Sequence, residues 1–204
     1  MIGIIDYGMG NLHSVANACN HLGLDVLISC DPKELETCDK LILPGVGAFG
    51  DMIANLEKNN LFAWIQKQVK EKHVPLLGIC LGMQALFEKS YEKGVYQGFG
   101  FLKGDVVEMT DPSVRIPEIG WNSLEFAKDH PLKSRLSETP FVYYDHSYYA
   151  DGLDEDELIT FSQHGPYKVP GIVGKDNVIG CQFHPEKSSK DGLAILEWFG
   201  KEFA

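Results

Sequence analysis

Short apolar runs alternate with amphipathic segments through the first 80 residues, and this alternation is the strongest constraint on the fold. The runs typical of buried strands cover residues 2–5, 24–28, 40–43 and 75–79. The segments between them with helical spacing of apolar residues cover residues 12–22 (which Gly23 ends), 51–59 and 61–72. Strands joined by helices in this order form a parallel sheet, because each crossover returns the chain to the same end of the sheet.

The second half of the chain has a different texture. After residue 96 the sequence shows shorter strand-like runs separated by turns, and the final stretch, DGLAILEWFGKEF, has apolar residues at helical spacing. A chain of 204 residues can build one α/β domain with a sizeable core and is short for two. We therefore predict a single domain over residues 1–204, with a parallel half followed by a mixed β half.

Charge and cysteine content exclude several classes of partner. The chain has 18 basic and 29 acidic residues and a net charge of −11. Binding to nucleic acid or to an anionic membrane requires clustered basic residues, so we expect neither. No apolar stretch is long enough to span a bilayer, and no signal peptide is recognisable. The five cysteines include no C-x-x-C pair, which fits reduced thiols in the cytoplasm better than disulfides or a metal site.

The stretch GICLGMQ, residues 78–84, places a cysteine at a predicted strand-to-helix turn. Gly78 and Gly82 would remove side chains that clash in so tight a turn, and residues 83–89 have helix propensity. The same geometry underlies the G-x-S-x-G nucleophile elbow. The positive end of the following helix would favour the thiolate of Cys80. The sequence therefore predicts that Cys80 is a nucleophile; the alternative is a buried structural cysteine.

A cysteine nucleophile requires a base and a group that orients the base. His184 follows the apolar run NVIGCQF, and in an extended chain Glu186 would share its face, with Pro185 keeping the backbone extended. A carboxylate in that position can accept the second N–H of the imidazole. On spacing alone, a strand-end histidine beside a surface glutamate stays open. Cys181 is the rival nucleophile, but it lacks a glycine turn.

Two backbone sites are predicted to stabilise the oxyanion. One is the N–H of Leu81, directly after the nucleophile, and the other lies in the loop of Gly45, Val46 and Gly47 after the third strand. Both glycines tolerate a positive φ, so the Val46 peptide between them can rotate. The turn at Gly8 and Gly10 lacks the third glycine of a dinucleotide-binding motif, and no cofactor is predicted.

Together these segments resemble a known family. PGVGAFG, GICLGMQ and CQFHPE, in this order, are similar to the class I (triad) glutamine amidotransferases, and DYGMGNLHSV, GWN, HSYY and HPEKS extend the resemblance to the glutaminase subunits of imidazole glycerol phosphate synthases. The resemblance implies a Rossmann-like three-layer α/β domain with a mostly parallel central sheet and a smaller mixed β part. It also implies hydrolysis of glutamine to glutamate and ammonia, which a separate (β/α)8-barrel cyclase subunit uses in histidine biosynthesis.

The resemblance assigns the catalytic roles to five positions. Cys80 would attack the amide carbon of glutamine, His184 would act as general base and then acid, and Glu186 would orient it. The N–H groups of Leu81 and Gly47 would form the oxyanion hole.

Further positions follow from the same resemblance. The substrate glutamine would be held by Gln84, Gly45 and the backbone of Ser147 and Tyr148. The surface facing the cyclase would include Asn11, Trp121 and Lys187.

Two residues depart from the family pattern. Asp145 stands where an apolar residue is usual, and Glu118 stands where a histidine is common. Both lie near segments expected to face the synthase, and neither is expected to touch the triad. Three alternatives remain: a glutaminase whose partner amidates a nucleotide sugar, a cysteine peptidase or deglycase-type hydrolase, and a non-catalytic binding subunit. The hydrolases carry a histidine directly after the nucleophile, where Leu81 stands here.

Overall fold

The sheet at the centre of the molecule has eight strands. The computed structural model describes residues 1–203, and the sheet order is β2-β1-β3-β4-β14-β13-β12-β9. Its strands are β1 (Ile2–Ile5), β2 (Val26–Ser29), β3 (Lys40–Gly45), β4 (Leu76–Cys80), β9 (Glu125–Phe126), β12 (Leu158–His164), β13 (Tyr167–Lys175) and β14 (Val178–Cys181). The first five strands in the order are parallel and the last three pairings are antiparallel. The predicted parallel half and mixed half are thus confirmed, but they share one sheet.

Helices cover both faces of this sheet. They are α1 (Leu12–His21), α2 (Pro32–Leu35), α3 (Phe49–Lys58), α4 (Leu61–Lys70), α5 (Leu81–Gln84) and α6 (Ser189–Lys201). Successive residues of a strand point to opposite faces: Ile4 packs in one apolar cluster with α1 and α6, and Ile5 in another with α3 and α4. The three-layer α/β arrangement is therefore confirmed. Within the described residues no helix is both long and apolar enough to span a bilayer.

The remaining strands form two small sheets beside the central one. A mixed sheet has the order β11-β7-β5-β6, and a two-stranded antiparallel sheet pairs β10 with β8. Their strands are β5 (Lys89–Ser90), β6 (Tyr96–Gln97), β7 (Asp105–Glu108), β8 (Glu118–Ser123), β10 (Phe141–His146) and β11 (Tyr148–Asp151). Short 3-10 turns occur at Pro131–Ser134, Glu155–Glu157 and Pro185–Lys187.

The helix predicted at residues 83–89 is wrong. Helix α5 ends at Gln84, after a single turn, and Lys89 already begins β5. The carbonyls of residues 85–88 accept hydrogen bonds from backbone N–H groups of residues 98–102 instead of from the next helical turn. Leu86 and Phe87 are fully buried by this arrangement. Tertiary hydrogen bonding and burial thus override the local helix propensity.

Candidate active site

Strands β3, β4 and β14 are neighbours in the sheet, and their carboxyl ends meet at one edge. Gly45 pairs with Cys80, and Cys181, three residues before His184, pairs with Ile79. Ligand clefts of open α/β sheets form at this edge. The topology therefore brings together the glycine loop, the cysteine and the histidine, which lie far apart along the chain.

The backbone at Cys80 is strained. Its φ of 54° and ψ of −111° lie outside the regions that residues with a side chain usually occupy. A Cβ on Gly82 would lie 1.8 Å from the Leu43 carbonyl oxygen, and one on Gly78 would lie 2.6 Å from the Gly82 carbonyl oxygen. The two glycines therefore allow the turn to press against β3. Strain of this kind is held where a side chain must project into a functional site.

Helix α5 supplies less of a dipole than the sequence suggested. The helix has only one turn, so the positive end predicted to favour the Cys80 thiolate belongs to a single turn, and its effect on the thiol stays a prediction. The imidazole of His184 lines the same cleft as the sulfur, and the proximity of Cys80 raises the pKa of His184.

His184 is held by Glu186. The Nδ1 of His184 lies 2.8 Å from Oε1 of Glu186, and the two side chains are only 4% and 1% exposed. Burial lowers the pKa of His184, but the nearby Cys80 and the hydrogen-bonded Glu186 outweigh this and raise the pKa to about 10. An imidazolium beside a cysteine sulfur favours the thiolate. The alternative of a surface glutamate is excluded, since the Glu186 side chain is buried against the imidazole.

The extended backbone predicted at Pro185 is wrong. The chain after His184 is not extended, because Pro185 opens the 3-10 turn Pro185–Lys187. The N–H groups of Lys187 and Ser188 donate to the carbonyls of His184 and Pro185, and the Ser188 hydroxyl donates to the His184 carbonyl. The turn, not strand alternation, brings the carboxylate to the imidazole.

Cys181 differs from Cys80 in its surroundings. It is completely buried, and burial raises its pKa far above the ordinary value of a thiol. A buried thiol of raised pKa is inert, which favours Cys80 over Cys181 as the nucleophile.

The two glycines of the loop after β3 have different roles. Gly47 has a φ of +91°, which favours glycine. Gly45 has no positive φ, but a Cβ there would lie 2.7 Å from the Gly82 nitrogen and 2.8 Å from the Leu81 Cβ. Gly45 therefore permits close packing of the loop on the cysteine turn, and Gly47 permits its backbone conformation.

A cleft of about 320 Å³ opens over the cysteine. Eight of the residues predicted from the sequence line it: Cys80, His184, Gly47, Leu81, Gln84, Ser147, Tyr148 and Lys187. Gln84 is connected to the opposite wall, because its Nε2 donates to the Tyr148 carbonyl at 2.8 Å and to Oε1 of Gln182 at 3.1 Å. Gly45 and Glu186 lie behind the lining rather than on it.

Several lining residues were missed by the sequence reasoning. Glu92 reaches the cleft from the hairpin between β5 and β6, where its carboxylate accepts the Phe49 N–H at 2.8 Å. His146 and Pro117 also line the cleft. No motif marks these residues, since their position depends on how the small sheets pack on the large one. The expectation that Asp145 stays clear of the triad is wrong for its backbone, whose carbonyl oxygen lies 3.9 Å from the Cys80 sulfur.

The residues predicted to face a partner lie at the same edge of the sheet. Trp121 is 53% exposed and packs edge-on against the Tyr143 ring, with 6.2 Å between the ring centres. The Nζ of Lys187 lies 5.6 Å from the centre of the same ring. Asn11 precedes α1 in the loop after β1. Ile119 and Phe141 are also exposed, as is Asp145, which pairs with Ile119, so this surface is largely apolar with one basic and one acidic group.

Comparison with known proteins places the chain in a family. The family model described as glutamine amidotransferase class-I matches residues 3–203. The chain is 50% identical to imidazole glycerol phosphate synthase subunit HisH of Lactococcus lactis, covering 98% of this chain and 97% of the relative. It is 47% identical to the protein of the same name from Bacillus velezensis, covering 98% and 96%.

Solved structures show the same fold at lower identity. A crystal structure of a glutamine amidotransferase superposes with a TM-score of 0.76 at 20% identity, covering 97% of this chain and 96% of the other. The PurLQS structure from Thermotoga maritima gives 0.71 at 20% identity, with the same coverage. The chain belongs to the class-I glutamine amidotransferase family and, within it, to the HisH subunits of imidazole glycerol phosphate synthase.

Proposed function

We propose that this chain is the glutaminase subunit of an imidazole glycerol phosphate synthase and that Cys80, His184 and Glu186 are its catalytic triad. The observation that carries the proposal is the strained Cys80 turn facing a buried His184 that is bonded to Glu186 at 2.8 Å. A thiolate, an imidazolium and an orienting carboxylate are the groups that acyl transfer from an amide requires.

The reaction proceeds in two steps. The Cys80 thiolate attacks the side-chain amide carbon of glutamine, and the N–H groups of Leu81 and Gly47 stabilise the oxyanion that forms. His184 gives its proton to the leaving nitrogen and the carbon–nitrogen bond breaks. Ammonia departs and leaves a thioester between Cys80 and the substrate carbon. His184 then takes a proton from water, whose oxygen attacks the thioester carbon. The carbon–sulfur bond breaks and releases glutamate, which restores the thiolate.

Glutamine is held by the walls of the cleft. Gln84, Gly45 and the backbone of Ser147 and Tyr148 bind the substrate, and the hydrogen bond from Gln84 to the Tyr148 carbonyl supports this assignment. The Glu92 carboxylate adds negative charge to the lining, which favours a substrate carrying an α-ammonium group.

Ammonia passes to a separate cyclase subunit, a (β/α)8 barrel, which forms imidazole glycerol phosphate and AICAR. The exposed surface of Trp121, Lys187, Ile119 and Phe141 supports this docking, because an apolar patch beside a cleft mouth is typical of a protein interface. Asn11 belongs to the same interface. The net charge of −11 disfavours a nucleic-acid partner, and the free cysteines support the proposed cytoplasmic location.

The test is a coupled assay with the cyclase subunit from the same source and its ribulosylamino-imidazole ribonucleotide. We expect glutamine to be hydrolysed to glutamate and the ribonucleotide to be converted into imidazole glycerol phosphate, in equal amounts. The control is Cys80→Ala, which should make the product only when ammonium is supplied. Glutamate without imidazole glycerol phosphate would point instead to a partner that amidates a nucleotide sugar, and absence of glutamate release would refute the glutaminase.

A further inference from the structure

Behind the cleft, three titratable side chains meet. Glu118 Oε2 lies 3.2 Å from His146 Nε2, and Glu118 Oε1 lies 3.6 Å from His164 Nδ1. Asn122 Nδ2 donates to the same Oε1 at 2.9 Å. Burial raises the pKa of Glu118, but the nearby His146 ring and the hydrogen bond from Asn122 outweigh it and hold the pKa below its ordinary value. Glu118 is therefore a buried carboxylate to which the mechanism above gives no role.

The ring of His146 lies between two acceptors. Its Nδ1 is 2.8 Å from the Tyr148 carbonyl oxygen, and because a carbonyl only accepts, Nδ1 carries a hydrogen. Its Nε2 lies 3.2 Å from Glu118 Oε2, close enough for a buried ion pair, although neither atom has a well-aligned hydrogen bond within the described residues. A neutral ring with its hydrogen on Nδ1 would turn the Nε2 lone pair towards the carboxylate. A ring protonated on both nitrogens satisfies both contacts.

The hydrogen bond from His146 Nδ1 is made to Tyr148, whose backbone lines the cleft. The Tyr148 carbonyl also accepts a hydrogen bond from Gln84 Nε2 at 2.8 Å, so two donors from different parts of the fold fix this peptide. Asp145, His146, Ser147 and Tyr148 all line the cleft. Strand pairing with β7 also holds this segment, and the hydrogen bond from the His146 ring fixes the direction of the Tyr148 carbonyl together with Gln84.

We infer that Glu118 is a positioning residue for glutamine binding: it holds the His146 ring protonated and turned so that Nδ1–H fixes the Tyr148 carbonyl. The inference rests on the proposed glutaminase, because it assigns the Ser147–Tyr148 backbone to the substrate. Glu118 itself acts through His146 and does not line the cleft. It contacts His146 and His164, and the Nε2 of His164 is engaged by the Arg115 carbonyl at 2.9 Å.

Two substitutions separate positioning from charge. In Glu118→Leu, nothing pairs with His146 Nε2, and we expect the KM for glutamine to rise about tenfold, the upper end for one hydrogen bond. The kcat should change by less than about twofold, because the contact is made equally in ground and transition states. In Glu118→Gln, Asn122 keeps the side-chain oxygen and turns the NH2 group towards His146 Nε2. A neutral ring then retains its Nδ1–H, and the KM should stay within about twofold of wild type.

Glu157→Leu is the matched control. Glu157 is also a buried carboxylate, 2% exposed, and it accepts from Lys103 N at 2.9 Å and from Lys175 Nζ at 2.8 Å. None of these three residues lines the cleft. Glu157→Leu should lower the melting temperature without changing the KM for glutamine. A KM rise confined to Glu118→Leu therefore reports positioning rather than general destabilisation.

Glutamate release is measured on the chain assembled with its cyclase subunit. An unchanged KM in Glu118→Leu overturns the inference, as does a KM rise in Glu118→Gln equal to that in the leucine variant. Nitrogen NMR of the His146 side chain in the wild type needs neither activity nor a variant that folds. Two protonated nitrogens are expected at neutral pH, and one would overturn the inference. If the wild type releases no glutamate, the proposed function fails, and the NMR result still decides the state of His146.

Discussion

Gly82→Ala tests whether the cysteine turn depends on its contact with β3. The added Cβ would lie 1.8 Å from the Leu43 carbonyl oxygen and 2.9 Å from the Leu43 carbonyl carbon. The first distance is about 1.5 Å shorter than a normal carbon–oxygen approach. Both atoms of the clash belong to backbone, and Leu43 is fixed by its pairing with Gly78 in the sheet. No side-chain rotation can relieve the overlap, so the turn itself must move.

The movement should reduce both stability and activity. Overpacking in a well-packed interior costs about 1–3 kcal/mol, and a clash between backbone atoms should reach the upper end, about 3 kcal/mol. Moving the turn also shifts Leu81, a proposed oxyanion donor, relative to Gly47. A displacement of about 1 Å in a reacting geometry costs about 10²-fold in rate. We expect kcat for glutamine hydrolysis to fall by about that factor while ammonia-dependent cyclisation persists.

The measurements are urea unfolding and glutamate release in the assembled complex. The control is Gly174→Ala in β13, where the new Cβ would lie 3.1 Å from the Cδ1 of Ile159 and 3.2 Å from the Val178 carbonyl oxygen, far less severe contacts than the 1.8 Å at Gly82. That variant should lose less than about 1 kcal/mol and keep its kcat. If Gly82→Ala has wild-type stability and kcat, the turn is not pressed against β3 and the account of its glycines is refuted.

Three further predictions concern the triad and its regulation. Glu186→Ala should reduce kcat less than Cys80→Ala or His184→Ala, because Glu186 orients the base without taking the proton; full activity in Glu186→Ala would contradict this. The pKa of His184 is raised from 6.5 to about 10, so its contribution to stability is complete below pH 6.5 and is lost as the pH rises through 10. The stability advantage of wild type over Glu186→Gln in urea unfolding should therefore shrink across this range, and an advantage that grows would show the sign to be wrong. The isolated chain should hydrolyse glutamine slowly, and the partner with its ribonucleotide should raise kcat far more than it lowers KM. The reason is that the Val46 peptide can rotate beside Gly47 and so supply or remove one oxyanion donor, which is worth about 10²–10³ in rate. Full glutaminase activity of the lone chain would rule this out.

The strands of the parallel half were predictable because their signal is local. A fully buried strand such as β4 reads as a continuous apolar run, and its predicted and observed bounds differ by one residue at each end. The end of helix α5 at Gln84 was not predictable, because the helix propensity of residues 83–89 is overridden by hydrogen bonds from residues 98–102 to the carbonyls that follow. Hydrogen bonds to residues elsewhere in the chain leave no periodic pattern in the sequence of the segment that accepts them.

The same division holds in the candidate site. Cys80, His184 and Glu186 could be proposed from glycine spacing and the His-Pro-Glu sequence, and the structure brings them together. The reason given for the pair was nevertheless wrong, since a 3-10 turn at Pro185 replaces the extended chain. Glu92, His146 and the Asp145 carbonyl could not be proposed, because they reach the cleft from the two small sheets.

The amino-acid sequence by itself determined the layered α/β fold, the glycine-flanked turn at Cys80 and the chemical groups available to it. These properties depend on periodic burial and on backbone angles of single residues, which are read within a few positions along the chain. Tertiary structure alone decided that the pKa of His184 is raised, that Cys181 is fully buried, and that Glu118 lies beside a histidine behind the cleft. Burial and charge pairing act through space, so they exist only once β3, β4, β8, β10 and β14 have been placed beside one another.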